Sequence, residues 1–237
     1  MNTRYFRLSA VLSWLRDELV AVLLLAVAAA AVFVFVELVE EVLEGEIRPF
    51  DEAVLRALRS PDDPGDPVGP RWLEVMFKDI TSLGGATVVT LITLAALGYL
   101  LMVGKWATAL LVLVAVAGGA ALSTALKFGF ERPRPDLVAH LVDVRTLSFP
   151  SGHAMVSAIT YLTLGALLAK VQPQRSLKAY ILIVAVVLTL LIGASRIYLG
   201  VHWPTDVIAG WCAGAAWAIV CWVAADWLQS RGRIEQG

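Results

Sequence analysis

Long stretches of uncharged, mostly apolar residues alternate with short charged segments along this chain. Six stretches of 16 to 25 residues contain no Asp, Glu, Lys or Arg. A helix needs about 20 such residues to cross the roughly 30 Å hydrocarbon core of a bilayer, so the pattern predicts an all-α fold, a bundle of six transmembrane helices. The uncharged stretches are Leu19–Val36, Ile80–Gly104, Trp106–Leu126, Ala154–Ala169, Ala179–Ser195 and Val207–Ala225.

The two shortest stretches and the first one need separate arguments. Lys170 and Lys178 flank the short ones, and lysine side chains extend from a helix end to the interface, so we keep both as spans. The first stretch could be a signal peptide. However, its 18 residues exceed the usual core of about 7–15, and Glu37 follows instead of a clean cleavage site. We therefore expect a retained anchor; the alternative is fewer spans, with one or two buried soluble helices.

The composition also indicates a membrane protein. Of the 237 residues, 59% are hydrophobic and 16% are charged, against about 45–50% and about 25% in soluble domains. The mean hydropathy is +0.75, which argues against a single water-soluble globule and against disorder. A net charge of −1 gives no indication of nucleic acid as a partner. Cys212 and Cys221 are nine residues apart on one predicted helix, so we expect free thiols.

Six spans place both termini on one side of the membrane. Nine of the 19 basic residues lie on that side, in loops about half as long in total as those opposite, and this density favours cytoplasmic termini. We predict a cytoplasmic segment 1–18, a membrane domain 19–227 and a cytoplasmic tail 228–237. The first extracytoplasmic loop, about 37–79, should hold two short amphipathic surface helices, or else form an ordinary packed loop. Its helically spaced apolar residues are Phe50, Val54, Leu55 and Leu58, then Trp72, Met76 and Ile80.

Ionisable residues, which are energetically unfavourable in a membrane, cluster at three helix ends on the predicted extracytoplasmic face. Such groups are functional candidates when they face a bundle interior. The clusters are Lys127–Asp136 after the third span, Ser148–His153 before the fourth, and Ser195–Asp206 between the fifth and sixth.

The residue types in these clusters suit a tetrahedral oxyanion. Lys127, Arg134 and Arg196 supply three positive charges, and guanidinium groups bind phosphate oxygens in a bidentate fashion. Ser151 and Gly152 open a predicted helix, whose free N–H groups and dipole favour an anion. We therefore predict a phosphate site.

Two histidines and an aspartate add reactive groups to this site. His202 precedes Asp206 by four residues, with Pro204 suited to the first turn of the last helix, and this spacing lets the carboxylate bind one imidazole nitrogen and leave the other nucleophilic. His153, on another helix, can protonate a leaving oxygen. Together with the cations, these residues form a complete site for in-line phosphoryl transfer.

A metal site formed by the same residues is less well supported than a phosphate site. The two histidines and Asp206 could bind zinc, but the three neighbouring cations would repel it, so we expect neither a metal nor a cofactor. Arg132 is either a phosphate ligand or a charge at the rim of the site. His140 and Asp143, in the loop between the third and fourth spans, are expected to serve the structure or the solvation of that loop.

At these residues the sequence resembles the type-2 phosphatidic acid phosphatase family, over most of residues 19–226. All three family signatures match in order and spacing. They stand here as Lys127 with Arg134-Pro135, as Pro150-Ser151-Gly152-His153, and as Ser195-Arg196 with His202 and Asp206.

The resemblance implies roles and substrates. His202 would form a phospho-histidine assisted by Asp206, with His153 as general acid. The substrates of bacterial relatives are lipid phosphates: phosphatidate, phosphatidylglycerophosphate, undecaprenyl pyrophosphate or lipid A. Their site lies on the outer face of the inner membrane. The residues implied to hold the phosphate are Lys127, Arg134, Ser151, Gly152 and Arg196.

Two other functions remain open at this point. The same site could act on a soluble phosphate or pass the phosphoryl group to another lipid. A transporter would use the charges as an ion path, although we find no related halves with interrupted helices. Gly210 and Gly214 form a small-residue pair that could pack within the bundle or support a homodimer, and we favour the bundle.

Overall fold

The computed structural model describes residues 3–144 and 146–230, with side chains from 18 to 144 and from 146 to 229. This part of the chain forms eight α-helices and no β-strand, which confirms the all-α prediction. The termini beyond it lie outside the described residues. The helices are α1 (Thr3–Glu44), α2 (Arg48–Ala57), α3 (Arg71–Ser82), α4 (Ala86–Met102), α5 (Trp106–Phe130), α6 (Gly152–Lys170), α7 (Arg175–Tyr198) and α8 (Pro204–Ser230).

Five helices of the described chain are long and apolar enough to cross a bilayer: α1 from Glu18 onward, α5, α6, α7 and α8. Helices α3 and α4 pass the same test only as a pair, bent by 46° at the short break between them. The count is therefore five, or six if the bent pair is one span. The sequence pattern predicted one uninterrupted stretch, Ile80–Gly104, across this break.

Close packing explains the break between α3 and α4. A Cβ atom at Gly84 would clash with Cγ2 of Ile192 and would lie 3.4 Å from Cδ2 of His153. This glycine lets the backbone of the turn approach α7 and α6. The bend thus brings the start of α4 to the wall of the cavity described below.

Two helices form in the predicted first loop, where apolar residues recur at helical spacing. Helix α2 packs on α8, and α3 packs on α7. Leu55 of α2 is buried, as its place in the apolar pattern requires, but so is the carboxylate of Asp51 one turn earlier. An aspartate on the buried face of an amphipathic helix needs a partner, which the site provides.

Helix α6 occupies the centre of the bundle, in contact with α4, α5, α7 and α8. Gly210 and Gly214 of α8 face it: Cβ atoms there would lie 2.7 Å from the carbonyl oxygen of Ser151 and 2.5 Å from that of Met155. Small residues permit this backbone approach. The glycine pair therefore packs inside the bundle, as favoured from the sequence. Cys212 and Cys221, also in α8, are free thiols.

The ends of α5 and α7 and the beginnings of α6 and α8 lie at the same end of the bundle. The turn from α7 to α8 depends on Gly200, which has a φ of 74°. A Cβ there would lie 2.6 Å from Nη2 of Arg59 and 2.7 Å from the carbonyl oxygen of Ala139. This tight turn sets the position of the residues that begin α8.

Replacing Gly214 by leucine should destabilise the fold by about 1–3 kcal/mol or more, because the side chain would displace the backbone of α6. Gly98→Leu is the matched control, since Gly98 is a helical glycine in α4 with nothing within 4 Å of an added Cβ. Thermal unfolding of the detergent-solubilised proteins measures both. Equal melting temperatures for the two variants would contradict the packing of α8 on α6.

Candidate active site

A cavity of about 520 Å³ lies where these helix ends meet. Residues from all three charged clusters line it, so the structure brings together chain segments that are far apart in sequence. Thr81, Ser82 and Asp143 are among the further polar residues of its wall, so Asp143 faces the cavity and does not serve its loop alone, as the sequence had suggested. Six of the eight sequence-predicted site residues face the cavity: Lys127, Arg134, Gly152, His153, Arg196 and His202.

Neutral oxygens hold the three cations of the cavity. Lys127 Nζ donates to the carbonyl of Leu147 at 2.7 Å. Arg134 donates to the carbonyls of Thr146 and Val201. Arg196 Nη1 donates to Thr81 Oγ1 at 2.9 Å, while its buried Nε has no partner.

No ion pair neutralises these cations within the described side chains. Arg196 is buried and Lys127 and Arg134 are half-buried, and a positive charge withdrawn from water is costly without a counter-charge. An anion entering the cavity would therefore meet three fixed and uncompensated cations, an arrangement that favours phosphate.

His202 is buried, and both of its ring nitrogens have defined neighbours. Nδ1 lies 3.3 Å from Oδ2 of Asp206, and Nε2 lies 3.1 Å from Nη1 of Arg134. Since arginine can only donate, Nε2 is the acceptor and the proton belongs on Nδ1, toward the carboxylate. Burial, reinforced by the nearby cations, holds the pKa of His202 well below its usual value. The ring is therefore neutral, with the Nε2 lone pair toward the cavity.

Asp206 is fixed by its place in the first turn of α8. Trp203 N–H donates to its Oδ2 at 2.9 Å, which satisfies a free backbone donor at the helix start, as in a capping box. Ser148 Oγ donates to the same oxygen. The four-residue spacing from His202, combined with this cap, directs Oδ2 toward the imidazole. The carboxylate is fully buried and lies behind the cavity wall.

The beginning of α6 supplies the remaining predicted residues. Gly152 and His153 line the cavity, and a Cβ at Gly152 would come within 3.5 Å of Cε of Lys127. Ser151 lies deeper: its N–H donates to the carbonyl of Asp206, and its Oγ is buried without a partner. Ser151 therefore joins α6 to α8 and does not line the cavity.

The sequence predicted that Arg132 is either a phosphate ligand or a charge at the rim of the site, and its position in the structure fits neither role. Its side chain is only 12% exposed and bridges two carboxylates, with Nη1 2.6 Å from Asp206 and Nη2 2.8 Å from Asp51. Thr205 Oγ1 also contacts both Arg132 and Asp51. Asp51 and Thr205 were not among the residues predicted from the sequence. The one available signal was an aspartate on the same helical face as Leu55.

His140 lies outside this arrangement. Its Nε2 lies 2.7 Å from the carbonyl oxygen of Pro135, a contact within the loop between α5 and α6. This position fits the structural role expected for it. Across the described side chains, no group of three His, Cys, Asp or Glu residues is placed to hold a metal ion.

Comparison with known proteins extends the motif match to most of the chain. A sequence model of the PAP2 superfamily matches residues 108–230. The chain belongs to the PAP2 superfamily. Phosphatidylglycerophosphatase B of Bacillus subtilis is 35% identical over 173 residues, which cover 71% of this chain and 79% of that protein.

Two solved PAP2 relatives have similar structures. One is a transmembrane PAP2-type phosphatidylglycerolphosphate phosphatase from Bacillus subtilis, with a TM-score of 0.77 and 28% identity over 85% of this chain and 96% of its own. The other is LpxE of Aquifex aeolicus, with a TM-score of 0.53 and 27% identity over 65% and 88%. The PAP2 fold thus includes the helices that carry the cavity.

Stability should depend on pH through His202. The unfolded chain takes up a proton near pH 6.5 and the folded state does so only at lower pH, so this contribution is present above about pH 6.5 and is lost below it, by up to about 1.4 kcal/mol per pH unit. His202→Asn removes the group. Its melting temperature should fall less between about pH 7 and about pH 5 than that of the unaltered protein. Parallel curves would contradict a buried neutral imidazole.

Proposed function

We propose that this chain is a metal-independent membrane lipid phosphatase that hydrolyses a lipid phosphomonoester or pyrophosphate through a phospho-histidine. The observation that carries the proposal is the position of His202 Nε2, an unprotonated nitrogen 3.1 Å from Arg134 in a cavity that also contains Lys127 and Arg196. The lipid phosphatase relatives support the same reaction class.

In the first step, Nε2 of His202 attacks phosphorus and the bond from phosphorus to the leaving oxygen breaks. Arg134 moves its Nη1 from Nε2 to a phosphate oxygen, which frees the lone pair. His153 gives its proton to the leaving oxygen, and Asp206 stabilises the ring, which becomes cationic while Nδ1 keeps its proton. The phosphate-binding residues are Lys127, Arg134, Ser151, Gly152 and Arg196, with Ser151 acting from behind the wall through the start of α6.

In the second step, water attacks the phospho-histidine. His153, now neutral, takes a proton from the water, the bond between phosphorus and Nε2 breaks, and phosphate leaves. The imidazole returns to its starting form with the proton still on Nδ1. The reaction uses charge stabilisation and positioning by this chain's own side chains.

A second cavity supports a lipid substrate over a soluble one. It has a volume of about 710 Å³ and runs between α4, α5 and α6, lined largely by apolar residues such as Leu97, Leu113 and Val116. Lys127, Gly152 and His153 line both cavities. A phosphate bound at the cations would therefore have its hydrocarbon chain next to this apolar surface.

The proposed topology has six spans, with the bent α3–α4 pair as the second. The termini are cytoplasmic, because the basic residues are denser there, and the cavity faces the extracytoplasmic side of a bacterial inner membrane. The boundaries 1–18, 19–227 and 228–237 follow from this arrangement. Helix α2 and the α3 part of the bent span then lie near the outer membrane surface. The substrate panel consists of phosphatidate, phosphatidylglycerophosphate, undecaprenyl pyrophosphate and lipid A, and homodimer formation is part of the proposal to be tested.

The purified protein should release inorganic phosphate from at least one lipid of this panel in the presence of a metal chelator. His202→Ala should reduce that rate by on the order of 10³-fold or more, because the nucleophile is lost. His140→Ala is the matched control, a histidine outside the cavity, and should keep the activity. Undiminished phosphate release by His202→Ala would refute the mechanism.

Ala120→Trp should lower the activity on lipid substrates without lowering the activity on soluble ones. Ala120 lies on α5 in the wall of the apolar cavity, and a tryptophan there fills part of it. We expect kcat/KM to fall about tenfold for a long-chain lipid phosphate and to stay unchanged for its water-soluble headgroup. Val114→Trp, at an exposed site of the same helix outside the cavity, is the control for bulk. An equal loss on both substrates would argue against the lipid path.

A further inference from the structure

Asp51 is a buried carboxylate outside the three motifs. It lies in α2 with 0% exposure and accepts hydrogen bonds from three groups. Arg132 Nη2 is 2.8 Å away, and the N–H and Oγ1 of Thr205 are 3.0 Å and 2.6 Å away. These partners are 81 and 154 residues further along the chain. Asp51 therefore fixes the first turn of α8, next to the nucleophile.

Arg132 connects Asp51 to the nucleophile through Asp206. The two oxygens of Asp206 have different neighbours: Oδ1 accepts from Arg132 at 2.6 Å, while Oδ2 faces Nδ1 of His202. The peptide carbonyl of Arg132 also accepts from the N–H of Ser148, whose hydroxyl binds Oδ2. The guanidinium thus holds the carboxylate from the side opposite to the imidazole.

Charge explains why Arg132 has a second carboxylate partner. The charges of Arg132 and Asp206 alone would sum to zero, so the arginine would cancel the negative charge that Asp206 places next to the imidazole. With Asp51 the three groups sum to −1. When phosphorus binds to Nε2, the ring becomes cationic, and a net negative group behind Nδ1 stabilises that state more than it stabilises the neutral ring.

We propose that Asp51 and Arg132 are positioning residues of the phosphoryl transfer, which hold Asp206 against His202 and preserve its negative charge. The inference rests on the proposed function. It makes α2, in the first loop, a part of the catalytic unit, although neither residue lines the phosphate cavity.

Asp51→Asn tests the role, because asparagine has nearly the same shape without the charge. We expect kcat on the best lipid substrate to fall roughly 10–100-fold, with KM changed by less than about twofold. Orthovanadate, which bonds to the imidazole as a mimic of the pentacoordinate state, should inhibit more weakly by a similar factor. Inorganic phosphate, which needs only the cations, should keep its inhibition constant.

Glu52→Gln is the matched control. Glu52 is the next residue of α2, and it pairs with Arg48 and Arg56 on the surface. This variant loses the same charge without contact to the site and should keep kcat and both inhibition constants. A melting temperature measured for every variant separates folding from catalysis.

A double-mutant cycle tests whether the two residues act as one unit. The variant Asp51→Asn/Arg132→Gln should be no slower than Arg132→Gln alone, since Asp51 acts through the arginine. Losses in kcat that multiply would overturn this arrangement. If Asp51→Asn does not fold, Arg132→Lys takes its place: lysine keeps the charge but lacks the fork that reaches both carboxylates, and kcat should fall at least about tenfold.

The outcomes separate this inference from the proposed function. Phosphate release by the unaltered protein, with kcat in Asp51→Asn within about twofold of it, would overturn the positioning role alone. If Asp51→Asn weakened inhibition by vanadate and by phosphate to the same extent, the positioning role would also be overturned, because a general distortion of the site would then explain the loss of kcat. Absence of phosphate release by the unaltered protein from every lipid of the panel would refute both.

Discussion

Three positive charges lie at one end of the bundle without an acidic partner among the described side chains: Arg196 is buried, while Lys127 and Arg134 are half-buried. Backbone carbonyls and a threonine hydroxyl hold Lys127, Arg134 and Arg196, so that their charge is fixed in position but not cancelled. The nearest buried acid, Asp206, is occupied by Arg132 on one oxygen and faces His202 with the other. The imidazole of His202 therefore lies between the cations of the cavity and the carboxylate of Asp206, with Nε2 next to Arg134 and Nδ1 next to Asp206.

The helix ends produce this separation. The Gly200 turn closes α7 onto α8, and the cap made by Trp203 and Asp206 fixes the direction of the carboxylate. Gly84, at the α3–α4 break, lets the chain approach His153 closely. Each device is local, but all of them act at the same end of the bundle. The rest of each helix supplies an apolar surface and the close packing that keeps these ends in register.

Local patterns predicted most of the fold and the core of the site. Uncharged stretches indicate helices by length. The four-residue spacing of His202 and Asp206 predicted their contact, although His202 lies just before Pro204, where α8 begins, and the cap on Trp203 helps to direct the carboxylate. The Asp51–Arg132 bridge could not be found in this way, since it joins residues 81 positions apart. The bend before α4 could not be predicted either, since it depends on the packing of Gly84 against Ile192 of a distant helix. The contact between Arg134 and Nε2 of His202 joins residues 68 positions apart. These features arise from tertiary packing, which a single sequence does not encode in any short window.

The shared wall between the polar and the apolar cavity has a consequence for the direction of the proposed reaction. When the substrate is a phosphomonoester, the two products leave into different phases after the ester bond breaks: the lipid alcohol stays in the bilayer, and phosphate enters water. Reformation of the ester would require both to return to His153 and Lys127 together. Partition between the phases therefore makes hydrolysis nearly one-way, without any coupled energy source.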